Sequence, residues 1–184
     1  PRSQAKTINL GLFYGMGKAK LQAELGVSKE KADELFTIYH ERVPFVKSLM
    51  NSVSNRAQQR GQIRTLLGRL CRFHLWEPSK FGMHKALPFD QARQEHGASI
   101  KRAYTYKALN KLIQGSAADM TKKSMLELYK EGIVAHIQVH DELDISVEDD
   151  IKAKRIKEIM ESAVELEIPN KVDYEFGKNW GEIK

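Results

Sequence analysis

Apolar and polar positions alternate at a helical period through the first third of the chain. Arg2, Lys6, Leu10 and Tyr14 recur every four residues, a row that drifts slowly round a helical cylinder, and predict a helix over residues 2–14 that Gly15 and Gly17 break. A second helix is expected over 18–25, closed by Gly26. Ser28 is a suitable N-cap for a third, which carries Ala32, Leu35, Phe36 and Tyr39 inward. Pro44 suits the first turn of a fourth, continuing through Val46, Leu49, Met50 and Val53 towards Gly61. Residues 62–76 read as a short extended piece and a turn. Two prolines and two glycines between 77 and 99 predict a long connection, with at most a short helix near Phe89 to Glu95. A long helix is expected over 101–131, with Gly115 its weak point. Residues 133–147 alternate as a strand, 150–166 read as an amphipathic helix, and Val172 to Phe176 as a last strand.

Composition narrows the class. The chain has 184 residues, of which 41% are apolar and 29% charged, an ordinary globular balance that excludes disorder and a disulfide scaffold. The single cysteine, Cys71, has no internal partner, and no apolar run approaches the roughly 20 residues a membrane span needs. A reducing aqueous interior, such as the cytoplasm, is expected.

Charge changes the picture more. The net charge of +6 is carried by one segment: seven basic residues and no acid occur from Arg42 to Trp76, including Arg56, Arg60, Arg64, Arg69 and Arg72. From Asp141 to the end, 13 acids face seven bases. A basic stripe beside an acidic end favours a polyanion partner.

Three places carry candidate chemistry. Arg2 and Lys6, one turn apart near a helix N-terminus, oppose the macrodipole unless an anion is held there, and suit a phosphate; they read equally as a solvated face. Counting by two from Ala135, Asp141 interrupts an apolar row of Ile137, Val139, Leu143, Ile145 and Val147. A lone carboxylate there needs a metal, a cation or a turn. If a hairpin reverses at His140-Asp141, Asp141 and Glu142 stand at its tip, placed for a metal or merely forming a polar turn. His136 and His140 read as ordinary polar-face histidines. On the long helix, Asn110 and Gln114 lie one turn apart, suited to the acceptors of a duplex minor groove, or simply exposed amides.

In order and form these pieces are familiar. The run Arg2-Ser-Gln-Ala-Lys6-Thr-Ile-Asn-Leu10-Gly-Leu-Phe-Tyr14-Gly15 resembles motif B, the fingers helix of family A DNA polymerases, the bacterial DNA polymerase I type and its phage relatives. Gln138-Val-His140-Asp141-Glu142-Leu143 resembles that family's motif C. Thr65-Leu-Leu-Gly68-Arg69 with Arg72, the Asn110 to Asp119 run and Gly177-Lys-Asn-Trp180 resemble intervening and terminal segments. Only residues 73–100 match poorly.

The resemblance implies an α+β fold, mainly helical fingers over 1–100, with a basic segment 42–76 and a connection 77–100, and the C-terminal part of an antiparallel palm over 101–184. It implies that Arg2 and Lys6 bind the triphosphate of an incoming dNTP, with Lys6 protonating the pyrophosphate. Leu10 lies at the nucleotide sugar, where relatives often carry Phe or Tyr, and Tyr14 at the nascent base pair. Asp141 ligates Mg²⁺, Glu142 supports that site and His140 approaches the primer end. Asn110 and Gln114 probe the minor groove of primer–template DNA, and Arg56, Arg60, Arg64, Arg69 and Arg72 face its backbone. Tyr106 stands where a basic residue is expected, with Lys107 beside it.

Two-metal phosphoryl transfer needs a second carboxylate. The resemblance places that residue upstream of the fingers. No such segment precedes Arg2, so the second carboxylate is expected from an N-terminal part of the polymerase, on the same or a separate polypeptide. Two other readings remain: a single-subunit phage-type RNA polymerase, against which Glu142 speaks, and a non-catalytic nucleic-acid-binding module.

Overall fold

The structure is a computed structural model that describes residues 2–80 and 82–183. The chain divides into two compact units, 1–113 and 114–184, with the boundary inside a helix.

The first unit begins with four helices: α1 (Arg2–Phe13), α2 (Lys18–Leu25), α3 (Lys29–Arg42) and α4 (Pro44–Arg60). Their ends follow the sequence signals. Gly26 closes α2 at φ 63°, Ser28 accepts the Lys31 N–H at the start of α3, Pro44 opens α4 and Gly61 closes it at φ 67°. Leu12, Leu21, Tyr39 and Val46 form one core of this unit, flanked by Ile8, Phe13, Leu35 and Phe36. Burial of the Tyr39 ring raises its phenol above the usual range.

Beyond α4 the chain forms a hairpin, β1 (Gln62–Arg64) with β2 (Leu70–Arg72), in which Ile63 pairs with Cys71. Both turn towards a second core of Val53, Ala57, Ile63, Phe73 and Ala108. Residues 77–99 differ from the expected connection. β3 (Leu75–Pro78) is the central strand of a three-stranded antiparallel sheet, between β4 (Leu87–Pro88) and β5 (Ile100–Arg102), with α5 (Phe89–His96) packed on it. Strands of two to four residues are too short to display alternation. Pro78 and Pro88 each end a strand, where a missing N–H costs least, so the prolines that suggested a loop mark sheet edges and ends instead.

Arg102 joins these pieces. Its Nε donates to Gln58 O at 3.2 Å and its Nη1 to Phe73 O at 2.9 Å, while the guanidinium lies 4.5 Å from the Trp76 ring centroid. Trp76 also meets Phe89 edge-on at 5.0 Å. The guanidinium thus satisfies a carbonyl in the last turn of α4, where a cation also suits the helix dipole.

The long helix, α6 (Ala108–Lys130), starts seven residues later than expected, because residues 100–102 pair with β3 and Tyr104 takes φ 60° before a single 3₁₀ turn, Thr105–Lys107. It runs without a break through Gly115. In the second unit, Leu128 of α6 packs with Ile156 and Ile159 of α7 (Asp150–Ser162) and with Leu143 and Ile145. α7 stops four residues short of the expected end: the Ser162 hydroxyl donates to Glu158 O and Ile159 O, in competition with the next helical turn. Residues 172–176 form no ladder among the described residues. They are tethered to α7 by side chains instead, Val172 N–H to Glu161 at 2.9 Å and the Tyr174 hydroxyl to Asp150 at 2.8 Å. Hydrogen bonds from Lys154 and Tyr174 hold the Asp150 carboxyl below its usual range.

Gly61 tests the Arg102 junction. A Cβ there would lie 2.7–2.9 Å from the guanidinium, whereas a Cβ on Gly26 meets nothing within 4 Å, and both glycines have positive φ. Gly26→Ala is expected to cost about 1 kcal/mol for the left-handed backbone alone, and Gly61→Ala clearly more, read by chemical denaturation. Equal losses would show that the junction yields freely.

Candidate functional site

Each unit presents its own set of candidate residues. In the first, α1 turns Ile8 and Leu12 towards the core and leaves Arg2, Lys6 and Leu10 exposed, Leu10 at 45%. Tyr14 follows the last helical residue; its N–H donates to Leu10 O at 3.1 Å and its ring meets Phe13 edge-on at 5.4 Å. No acid lies in the first turn of α1, and Arg2 and Lys6 meet no carboxylate among the described residues. A helix start and two cations with no carboxylate partner among the described residues suit an anion. An exposed leucine on the same row adds an apolar surface within reach of whatever the cations hold.

Arg56 and Arg60 lie exposed on one side of α4, and Arg64, Arg69 and Arg72 are exposed on the hairpin. The register places Gln62 opposite Arg72 and Arg64 opposite Leu70, so Arg64 and Arg72 share the outer face while Ile63 and Cys71 face the core. Arg64 donates to Gly68 O at 2.8 Å within the loop. Arg56, Arg60, Arg64 and Arg72 form no ion pair among the described residues. Their repulsion is left to solvent and salt, or to a polyanion.

Asn110, in the first turn of α6, is half-buried rather than exposed, and its Oδ1 is buried with no hydrogen-bond partner. Gln114, exposed, follows one turn later on the same helix, at the start of the second unit.

The second unit holds the carboxylates. β6 (Ile137–Val139) pairs with β7 (Glu142–Asp144) through a two-residue turn at His140-Asp141, with Val139 opposite Glu142 and Ile137 opposite Asp144. That pairing corrects the row counted straight through the segment. A two-residue turn shifts the parity, so Ile137 and Val139 share a face with Glu142 and Asp144, and Leu143 lies opposite Gln138. Asp141 is therefore not a defect in an apolar face: it sits in the turn, exposed, with Glu142 next to it. His140 adopts φ 56°, and the Gln138 side chain donates to its carbonyl at 3.0 Å. His136 and His140 consequently do not share a strand.

Asp144 escaped sequence reasoning. It is half-buried, its Oδ2 has no partner, and it lines the same open cavity of about 930 Å³ as Asp141 and Glu142. The available signal was its place two residues beyond Glu142, on one strand face. Adjacent carboxylates at a hairpin tip are hard oxygen donors of the kind Mg²⁺ takes, and Mg²⁺ commonly uses one or two protein carboxylates together with substrate phosphates. Among the described residues no group of three or more His, Cys, Asp or Glu converges as a self-sufficient metal site.

Comparison with known proteins gives this geometry a context. The sequence profile of DNA polymerase family A matches residues 1–182. The chain is 34% identical to a DNA-directed DNA polymerase of Pseudomonas phage M6, over 98% of this chain and 29% of that protein. It is also 34% identical to DNA polymerase I of Bacillus caldotenax, over 100% of this chain and 20% of the relative. Among solved structures, the POL domain of Pol1 from M. smegmatis in complex with DNA primer-template and dNTP superposes with a TM-score of 0.68. That match has 28% identity and covers 91% of this chain and 28% of the other. The chain thus spans between a fifth and three tenths of the length of these curated relatives.

The turn is open to a direct check. Because His140 sits in the left-handed region, His140→Gly relieves backbone strain while adding unfolded-state freedom, and stability is expected to stay within about 0.5 kcal/mol. His140→Val should lose about 1–2 kcal/mol in the same thermal melt. Equal stability of the two variants would contradict the observed turn.

Proposed function

The chain belongs to DNA polymerase family A, and on that premise we propose that it forms the fingers, over 1–100, and the C-terminal part of the palm, over 101–184, of a polymerase that transfers nucleotides from dNTPs to a primer 3′ end on a DNA template. The observation that carries this reading is the family match over 1–182 together with two carboxylates at a hairpin tip in one unit and two cations on a helix start without acids in the other. Both relatives named above are DNA polymerases, which disfavours the RNA-polymerase and non-catalytic readings.

In this proposal Arg2 and Lys6 take the triphosphate, and Lys6, an ammonium beside the departing pyrophosphate, gives it a proton. Leu10 packs against the sugar without stacking or offering a hydroxyl, so sugar discrimination rests less on this position than in relatives with Phe or Tyr there. Tyr14 borders the nascent base pair. Asp141 holds Mg²⁺, Glu142 supports it, and His140 approaches the primer terminus. When bound, the ions activate the primer 3′ hydroxyl and offset the charge that develops on the phosphates. A second carboxylate comes from an N-terminal part of the polymerase, fused or separate. Arg56, Arg60, Arg64, Arg69 and Arg72 contact the DNA backbone, while Asn110 and Gln114 test minor-groove shape, whose acceptors recur at nearly every base pair. No helix among the described residues is long and apolar enough to cross a membrane, and we place the protein in the cytoplasm with its template.

Two measurements test the reading. The 184-residue chain alone is expected to give no primer extension in Mg²⁺; robust extension would overturn the outside carboxylate. With the upstream part supplied, Asp141→Ala should lower extension on the order of a thousandfold, the loss of a metal contact worth several kcal/mol, while primer–template affinity stays close to unchanged. Near-normal turnover of that variant would refute the metal role.

A further inference from the structure

The arginine stripe is not the only acid-free run. No Asp or Glu occurs between Glu95 and Asp119, and Lys101, Arg102, Lys107 and Lys111 fall inside that interval. Two of these cations are already engaged within the protein. Lys101 pairs with Glu77 across the sheet at 3.7 Å, and Arg102 is held by Gln58 O, Phe73 O and the Trp76 ring.

Lys107 and Lys111 are different. Both are exposed and neither meets a carboxylate among the described residues, in contrast to Lys18, Lys31, Lys123, Lys130 and Lys154, each of which does. They lie four residues apart, on the 3₁₀ turn Thr105–Lys107 and the first turn of α6, where like charges repel. Each is seated on aromatic rings instead. The Lys107 ammonium lies 5.2 Å from the Tyr104 centroid and 5.6 Å from that of Tyr106; the Lys111 ammonium lies 5.9 Å from that of Phe73.

The rings carry their own oddities. Tyr104 keeps φ 60°, a backbone region that aromatic residues rarely adopt, and in doing so brings its ring to Lys107. Tyr106 is 66% exposed. Neither phenol oxygen has a hydrogen-bond partner among the described residues, so two O–H donors stand beside the cation. The 3₁₀ turn packs against α4, the helix that carries Arg56 and Arg60. Asn110, between the two lysines in sequence, has its buried unpartnered Oδ1.

Cations pre-positioned on rings, with phenol donors beside them and no carboxylate competing, suit an anion that arrives in repeated units. Ring contact restricts the lysine side chains before binding, so less entropy is lost on contact. We infer that Lys107 and Lys111, seated on Tyr104, Tyr106 and Phe73, form a second contact for the sugar–phosphate backbone of DNA, distinct from the arginine stripe. The inference rests on the nucleic-acid part of the proposed function and adds Lys111 and the aromatic seats, which the family resemblance does not supply. Tyr106, standing where a basic residue is expected, is then part of the contact: it seats the cation one position later.

Equilibrium binding of a primer–template duplex to the full chain, titrated across salt, provides the test. Each phosphate contact contributes a slope of about 0.9 in log K against log salt for duplex DNA. Lys107→Gln and Lys111→Gln are each expected to flatten the slope by about 1, Lys107→Arg and Lys111→Arg to retain it, and Lys29→Gln, an exposed lysine on α3, to leave it unchanged. Tyr106→Leu should weaken binding with little change in slope, since it removes a seat and a donor but no charge. Wild-type slope in both glutamine variants overturns this inference while leaving the polymerase reading intact. Equal flattening by Lys29→Gln also overturns it, by showing an effect of net charge alone. A wild-type chain that binds no duplex overturns this inference together with the backbone contacts proposed for the arginine stripe.

Discussion

A single guanidinium organises the first unit. Arg102 meets the last turn of α4, the carbonyl that follows β2 and the face of Trp76, so helix, hairpin and three-stranded sheet share one joint. Gly61 has to be glycine on two counts there, a left-handed backbone and a guanidinium within 2.7 Å of where a Cβ would stand. The exposed cations depend on this joint. Arg64 and Arg72 are carried on the hairpin whose ladder Phe73 N–H extends to Gly61 O, and Lys111 lies over the ring of that same Phe73. Moving the joint would move both rows of positive charge together.

That charge is what links the fold to function. The protein commits Arg102 to an internal joint and leaves Arg56, Arg60, Arg64, Arg72, Lys107 and Lys111 on the surface without acidic partners among the described residues, a distribution that suits a polyanion. At the other end of the sequence the surplus is acidic, and two carboxylates stand at the tip of a two-residue turn. A nucleotidyl transferase needs both: cations for phosphates, and carboxylates for the metal ions that lie among them. On the proposed function, each unit carries one half of that requirement.

Much of this was readable in the amino-acid order where a local cause decides the outcome. Gly26, Ser28, Pro44 and Gly61 each end or begin a helix for reasons contained within four residues, and the structure agrees. The hairpin at His140-Asp141 was also legible as a condition. Its facing was not, because parity across a turn depends on the number of turn residues, which alternation alone does not reveal. The sheet of β3, β4 and β5 was hidden for a related reason: strands so short are defined by partners distant in sequence, and their prolines look like loop signals. α6 begins late because pairing of residues 100–102 with β3 outweighs local helical preference. Asp144, Lys111 and the ring seat of Lys107 were invisible for want of a motif, since burial of an unpartnered oxygen and the placing of an ammonium over a ring are tertiary facts.

The central claim is that this chain brings a triphosphate-binding helix and a metal-binding carboxylate to one reaction. A structure of the complete polymerase with primer–template, an incoming dNTP and Mg²⁺ tests it most directly. The account predicts the triphosphate against Arg2 and Lys6 of α1 and a metal ion on Asp141 beside the primer 3′ end. A triphosphate bound away from α1, or metal ions held without Asp141, would contradict it.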